Sequence, residues 1–210
     1  MVAAAAAAAV ATNPNLGKNM AAKPGERKLQ ILQNLAEMLQ NPQGEKITTA
    51  SLAARIGVSE AALYRHFASK AQMFEGLIEF IEQTLFGLIN KITSEESNGV
   101  KQMEVVLPLL LGFAQKNPGM TRVLIGEALV NEDSRLQTRI NQLHDRLEAT
   151  LKQSLRLAAS QQELSETDAA AQANLMMSFV VGRWHQFAKS GFRREPMEFW
   201  AAQWRALIKG

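Results

Sequence analysis

The 210-residue chain has no cysteine, which excludes a disulfide framework and a cysteine-ligated zinc site and fits a reducing cytoplasm. It has three histidines, His66, His144 and His185, and they share no ligand spacing, so no metal site is expected. His144 can reach Glu148 four residues on, as a surface ion pair. No nucleophile, base and orienting acid stand together, and no glycine-rich phosphate loop is present. The expectation is a protein that is not an enzyme and carries no cofactor. The longest apolar run, MVAAAAAAAVA, is too short to span a bilayer. It also lacks the basic start of a secretory signal, and the TNPNLGKN after it is turn-like. Residues 1–25 are therefore expected to be a disordered or artefactual leader, with Met20 a possible alternative start, and the protein is expected to be soluble.

What is present is apolar and helical. Apolar residues make up 47% of the chain and charged residues 20%, enough for a sizeable core in a water-soluble class. The net charge of +3 is unevenly spread. Up to residue 70 the cations are Lys18, Lys23, Arg27, Lys28, Lys46, Arg55, Arg65 and Lys70, against Glu26, Glu37, Glu45 and Glu60. A modestly basic head on a near-neutral body suits a polyanionic partner.

Helical periodicity runs almost unbroken from residue 26, with no alternating strand pattern and no repeat. In ERKLQILQNLAEMLQ, Ile31, Leu32, Leu35, Ala36, Met38 and Leu39 form one stripe, ended by Asn41, Pro42 and Gly44. Short helices are predicted over Thr49–Ile56 and Glu60–His66, and a long one over Lys70–Asn90. A loop at 95–99 separates these from helices near 101–116, 119–131, 133–158, 166–189 and 195–208, about nine in all. Pro108 requires its helix either to start late or to kink. The fold class is all-α.

The stretch TASLAARIGVSEAALYRHF (49–67) meets the requirements of a helix-turn-helix. Ala53 is small where two helices cross, and Gly57 stands where the turn favours positive φ. Ser59 is placed to cap the next helix. Leu52, Ile56, Val58 and Leu63 supply a small core. That leaves Glu60, Ala61, Tyr64 and Arg65 facing outward, with Thr48 and Thr49 beside them, as candidates for contact with bases in the major groove. The threonine hydroxyls, Tyr64, His66 and Lys70 suit phosphate oxygens, and Lys70 opens the next helix, where free backbone N–H groups also favour an anion. Helical hairpins of other function can share this spacing, so a helical adaptor without DNA binding remains open at this point.

LYRHFASKAQMFEGLIEF (63–80) resembles the helix-turn-helix exit of TetR-type regulators, matching at Tyr64, Phe67, Lys70 and Phe74, with Ala68 where proline is frequent. Further stretches, ITTASLAARIGVSEAALYRHF, LLLGFAQKNPGMTRVL and RLQTRINQL, resemble the nucleoid-occlusion branch of that family. The likeness covers about residues 27–150 and is much weaker from about 155 onward. It implies a three-helix DNA-binding head at 26–69 on a helical partner-binding and dimerisation body at 70–210. It also implies a homodimer on pseudo-palindromic chromosomal sites, in a cytoplasmic, nucleoid-associated protein that contacts the tubulin-like division protein FtsZ and inhibits its assembly over the nucleoid. The implied partner surface falls on Phe80, Leu109, Gly112 and Asn117, with Lys116 and Leu88 standing where arginine is usual; Lys116 keeps the charge but not the bidentate geometry.

The last thirty residues concentrate the aromatics. Trp184, Phe187, Trp200 and Trp204 are read as the dimer interface, in a four-helix bundle between two chains, with an internal core as the other reading. Leu107, Leu109, Leu110, Phe113, Met176, Met177 and Phe179 fit either packed core or the lining of an effector pocket. The pocket would accompany an alternative function, a ligand-responsive transcriptional repressor.

Overall fold

The computed structural model describes residues 24–41, 47–163 and 168–208. The expected leader lies outside the described residues except for its last two positions, and so do Pro42 and Gly44. All the regular structure described is helical: α1 (Pro24–Met38), α2 (Thr49–Ile56), α3 (Glu60–Tyr64), α4 (Lys70–Glu95), α5 (Gly99–Lys116), α6 (Pro118–Leu124), a 3-10 turn (Glu127–Leu129), α7 (Ser134–Ser160), α8 (Ala169–Lys189) and α9 (Trp200–Ile208). No described helix is long and apolar enough to cross a membrane.

Helices α1 to α3 form the head. The α1 stripe is buried as its spacing predicts, with Ile31 and Leu35 inaccessible. The same core continues through Leu52, Leu63 and Phe67 into Phe74 and Leu77 of α4. In the body, α8 packs along α7 and α5 lies against both. Leu110, Leu143, Leu147, Leu151, Met176 and Val180 interlock there, all fully buried.

Several boundaries differ from the sequence expectation, each for a local reason. Helix α4 runs five residues beyond Asn90 because buried Ile92 continues the stripe of Leu85 and Ile89. Asn98 then caps α5, accepting from Lys101 N at 2.8 Å, so α5 starts at Gly99 and Pro108 lies inside it. The carbonyl that proline leaves without a helical donor belongs to Glu104, which is exposed to water. Buried Gln102 joins the two helices, donating to the backbone oxygens of Glu96 (2.7 Å) and Thr93 (3.3 Å) and accepting from Ser154 Oγ at 2.8 Å. The helix expected over 119–131 is α6 followed by the 3-10 turn, with Gly126 at φ +77° between them.

The C-terminal helix begins at Trp200 and not near 195. The preceding loop is held by buried Arg183, whose guanidinium donates to Glu195 O at 2.6 Å, Pro196 O at 3.2 Å and Gln186 Oε1 at 2.9 Å. A loop whose carbonyls already have these donors has no need of helical ones.

Two ion-paired side chains brace the junction of head and body. Arg122 of α6 donates to the carbonyl oxygens of Leu39 (3.1 Å) and Asn41 (3.0 Å) just beyond α1, and pairs with Glu127 at 2.9 Å. Burial raises the Glu127 pKa, but Lys189 and Arg122 outweigh it and hold the carboxyl below its ordinary range. Lys70, at the start of α4, pairs with Glu132 in the turn before α7.

Candidate nucleic-acid interface

The turn between α2 and α3 is built as the residue types require. Gly57 adopts φ +72°, its N–H reaches Ala54 O at 3.1 Å, and Val58 N reaches Ala53 O at 3.0 Å. These bonds close the end of α2 while the left-handed glycine reverses the chain. Ser59 then caps α3, its hydroxyl oxygen accepting from Ala62 N at 3.2 Å. Ala53 is buried at the crossing, with Leu52 and Leu63 beside it; Ile56 and Val58 are half-buried. Arg55 braces α2 against α1 through Glu37 at 2.8 Å.

On the outer side, Thr48, Ser59, Glu60, Ala61, Tyr64 and Arg65 are exposed, and Thr49 and His66 are half-buried. Of these eight, Thr49, Glu60 and Tyr64 are brought together across α2 and α3 by hydrogen bonds. The threonines are already engaged. Thr48 is the N-cap of α2 in a reciprocal pair with Ser51: its Oγ1 accepts from Ser51 N at 3.0 Å, and its own N–H donates to Ser51 Oγ at 3.1 Å. The pattern Thr-x-x-Ser carries that signal, although Glu or Gln is the usual partner. The Thr49 hydroxyl donates to Glu60 Oε2 at 2.6 Å and accepts from Tyr64 OH at 3.4 Å. Arg65 has no ion-pair partner among the described residues.

Lys70, expected to meet a phosphate, already has an anionic partner. Its ammonium is bound to Glu132, with side-chain exposures of 23% and 15%, and lies 5.6 Å from the centre of the Phe74 ring. A lysine so paired cannot neutralise a phosphate without giving up Glu132, so it fastens the start of α4, next to the head, to the turn before α7. The cap of α4 was missed in the sequence: Ser69 accepts from Gln72 N at 3.2 Å, while Gln72 Oε1 accepts from Ala68 N at 2.8 Å. Ser-x-x-Gln is the pattern that would have revealed it.

On the body, Phe80 and Leu88 of α4 and Leu109 and Gly112 of α5 are half-buried, and Lys116 is exposed. A Cβ on Gly112 would meet nothing within 4 Å, so the helix surface is open there. Asn117 is bound to its own helix, donating from Nδ2 to Phe113 O at 2.8 Å.

Two of the aromatics assigned to the dimer interface belong to the core. Trp184 is fully buried within one chain and donates to Leu110 O at 3.1 Å; Phe187 is 3% exposed. Both side chains are packed inside the single chain, Phe187 edge-on against Phe192 at 5.2 Å. Trp204 is also largely buried and stacks on half-buried Trp200 at 5.6 Å. Among the residues α8 leaves outside are Ala171, Leu175, Ser178 and Gly182, a helically spaced row in which Leu175 is 56% exposed. Periodicity of small residues would have pointed to it, whereas aromatic content pointed inward.

His144 does not pair with Glu148, which accepts instead from Asn174 Nδ2 at 3.0 Å. The imidazole sits 5.8 Å from the Trp184 ring, its Nε2 buried without a partner. Of the residues suggested for an effector pocket, Leu107, Leu110, Phe113, Met176 and Met177 are buried and Leu109 and Phe179 half-buried, all packed in or against the core. None lines either of two clefts on the body, one between α4 and α7 at Glu82 and Arg139, the other at Asn90 and Gln153.

Comparison with known proteins bears on both halves. A model of bacterial regulatory proteins of the tetR family matches residues 44–77. A SlmA-like model described as a tetracyclin repressor-like C-terminal domain matches residues 97–210. Nucleoid occlusion factor SlmA of Marinomonas sp. (strain MWYL1) is 50% identical over 191 residues, 90% of this chain and 97% of that protein. The factor of the same name from Alteromonas mediterranea is 52% identical over 188 residues, 89% of this chain and 96% of that one. The chain belongs to the SlmA family of TetR-type DNA-binding regulators. Likeness to SlmA proteins does not fade after residue 150, as the sequence reading expected, but continues to the end of the chain. The fold is shared more widely: a TetR transcription regulator from Haloarcula marismortui superposes with a TM-score of 0.76 at 15% identity, over 88% of this chain and 97% of that one. SlmA and TetR-type proteins are regulators and not enzymes, and dimerisation is typical of them.

Proposed function

We propose that this protein is a sequence-specific nucleoid occlusion factor which, when bound to chromosomal DNA, inhibits assembly of the FtsZ division ring over the nucleoid. The observation that carries this reading is that identity near 50% to SlmA proteins extends over head and body alike. A shared head would imply only DNA binding; a shared body implies the same use of it.

In this reading residues 26–69 read DNA and residues 70–210 dimerise and bind the partner. Two heads related by two-fold symmetry meet the half-sites of a pseudo-palindrome. Thr48, Thr49, Ser59, Glu60, Ala61, Tyr64, Arg65 and His66 form the DNA surface. Phe80, Leu88, Leu109, Gly112, Lys116 and Asn117, where α4 and α5 lie side by side, form the surface for FtsZ. Copies join through the outer row of α8 and the half-buried Trp200. The protein acts in the cytoplasm, on the nucleoid.

Mapping of bound chromosomal sites tests this reading. Sites scattered over the chromosome and sparse near the replication terminus are expected. Occupancy confined to one or two promoters would contradict it in favour of a transcriptional repressor.

A further inference from the structure

We propose that Glu60 reads a cytosine in each half-site through its free carboxylate oxygen, held in position by Thr49 and Tyr64. The inference rests on the reading of the head as a sequence-specific DNA-binding module and names one base that it recognises.

Glu60 is the first residue of α3, exposed, with no cation paired to it among the described residues. A carboxylate brought between the phosphates of a major groove is repelled by them, whatever the base sequence. An acid at the centre of a DNA-facing surface therefore lowers affinity everywhere except where a base offers it a donor. The major groove presents two such donors, the N4 amino group of cytosine and the N6 amino group of adenine. On adenine the amino group lies beside N7, whose lone pair repels a carboxylate. On cytosine its neighbour is the C5–H, which does not. The chemistry selects cytosine.

The hydrogen-bond geometry leaves one oxygen for this task. Glu60 Oε2 accepts from the Thr49 hydroxyl at 2.6 Å, and Thr49 accepts in turn from Tyr64 OH at 3.4 Å. Both donors point toward the carboxylate, so the chain Tyr64–Thr49–Glu60 spans α2 and α3 and restricts the Glu60 rotamer. Oε1 has no partner among the described residues. A held acceptor discriminates between bases better than a mobile one, because less entropy is lost on contact.

Glu60→Gln separates readout from bracing. The glutamine oxygen can still accept from Thr49, so α2 stays tied to α3, but the amide then turns its NH2 toward the base, where the cytosine amino group cannot accept. The experiment is selection from a randomised duplex library, followed by sequencing, with the full-length wild-type protein, Glu60→Gln and Thr49→Val. The wild type is expected to select a motif with one cytosine column repeated by symmetry in both half-sites. In Glu60→Gln that column alone should lose about tenfold in discrimination and shift to a base with an acceptor edge; in Thr49→Val it should weaken by a smaller factor. A cytosine column retained in Glu60→Gln, or all columns weakening together, would overturn the proposal. A column untouched in Thr49→Val would overturn the positioning role. A wild type that selects no motif would instead overturn the sequence-specific reading beneath it.

Discussion

Gly119 of α6 lies so close under Ala36 of α1 that a Cβ on it would fall 1.8 Å from the Ala36 carbonyl oxygen. The end of α1 thus rests directly on the body, clamped from the side by Arg122. Gly119→Ala must push the head away, because the obstructing atom is backbone and cannot rotate aside. A loss of about 1–3 kcal/mol in stability is expected, with weaker DNA binding as the heads lose their fixed separation. Calorimetry and DNA titration check this; an unchanged melting temperature would contradict the close approach.

Arg65 and Lys70 should behave differently towards salt. If Arg65 meets a phosphate, Arg65→Met lowers the slope of log affinity against log salt by about 0.9. Lys70→Met should leave that slope nearly unaltered and cost stability instead, about 1–2 kcal/mol, between the values for exposed and buried pairs. Equal slope changes in both variants would show that Lys70 leaves Glu132 to bind DNA.

The contrast shows what could be read from residue order. Helix-turn-helix spacing is local, so Ala53, Gly57 and Ser59 announced their roles, and the stripe of α1 announced its buried face. The Lys70–Glu132 pair joins residues distant in sequence, and nothing local to Lys70 distinguishes it from a phosphate-binding lysine. Trp184 misled for a related reason. A large aromatic fits a dimer seam and a core equally well, and only the carbonyl of Leu110 on another helix decides between them. The outer row of α8 was legible but quiet, being made of small residues.

That row supplies a third prediction. Leu175→Asp should convert the dimer to monomers with little loss of helicity, as measured by sedimentation and circular dichroism. Trp184→Ala should instead cost about 3–5 kcal/mol in folding stability. A Leu175→Asp protein that remains fully dimeric would place the interface elsewhere.

His144 makes stability pH-dependent. Burial against Trp184 lowers its pKa below the ordinary 6.5; the Leu124 backbone and Asp145 oppose that, and His185 reinforces it. In the acid window the unfolded chain takes up a proton that the folded chain refuses. Stability from this group is therefore complete above about pH 6.5 and falls as pH drops from there toward the folded value. Urea midpoints at about pH 7.5 and 5.5 should differ in this direction, and His144→Gln should reduce the difference. An equal difference in that variant would assign the effect to another group.

The central claim is that DNA binding turns this protein against the division ring, and FtsZ polymerisation measured by light scattering or sedimentation tests it most directly. With a duplex carrying its selected site, the protein is predicted to reduce FtsZ polymer markedly, and without DNA to reduce it much less. Polymer unaltered at saturating DNA would contradict the account.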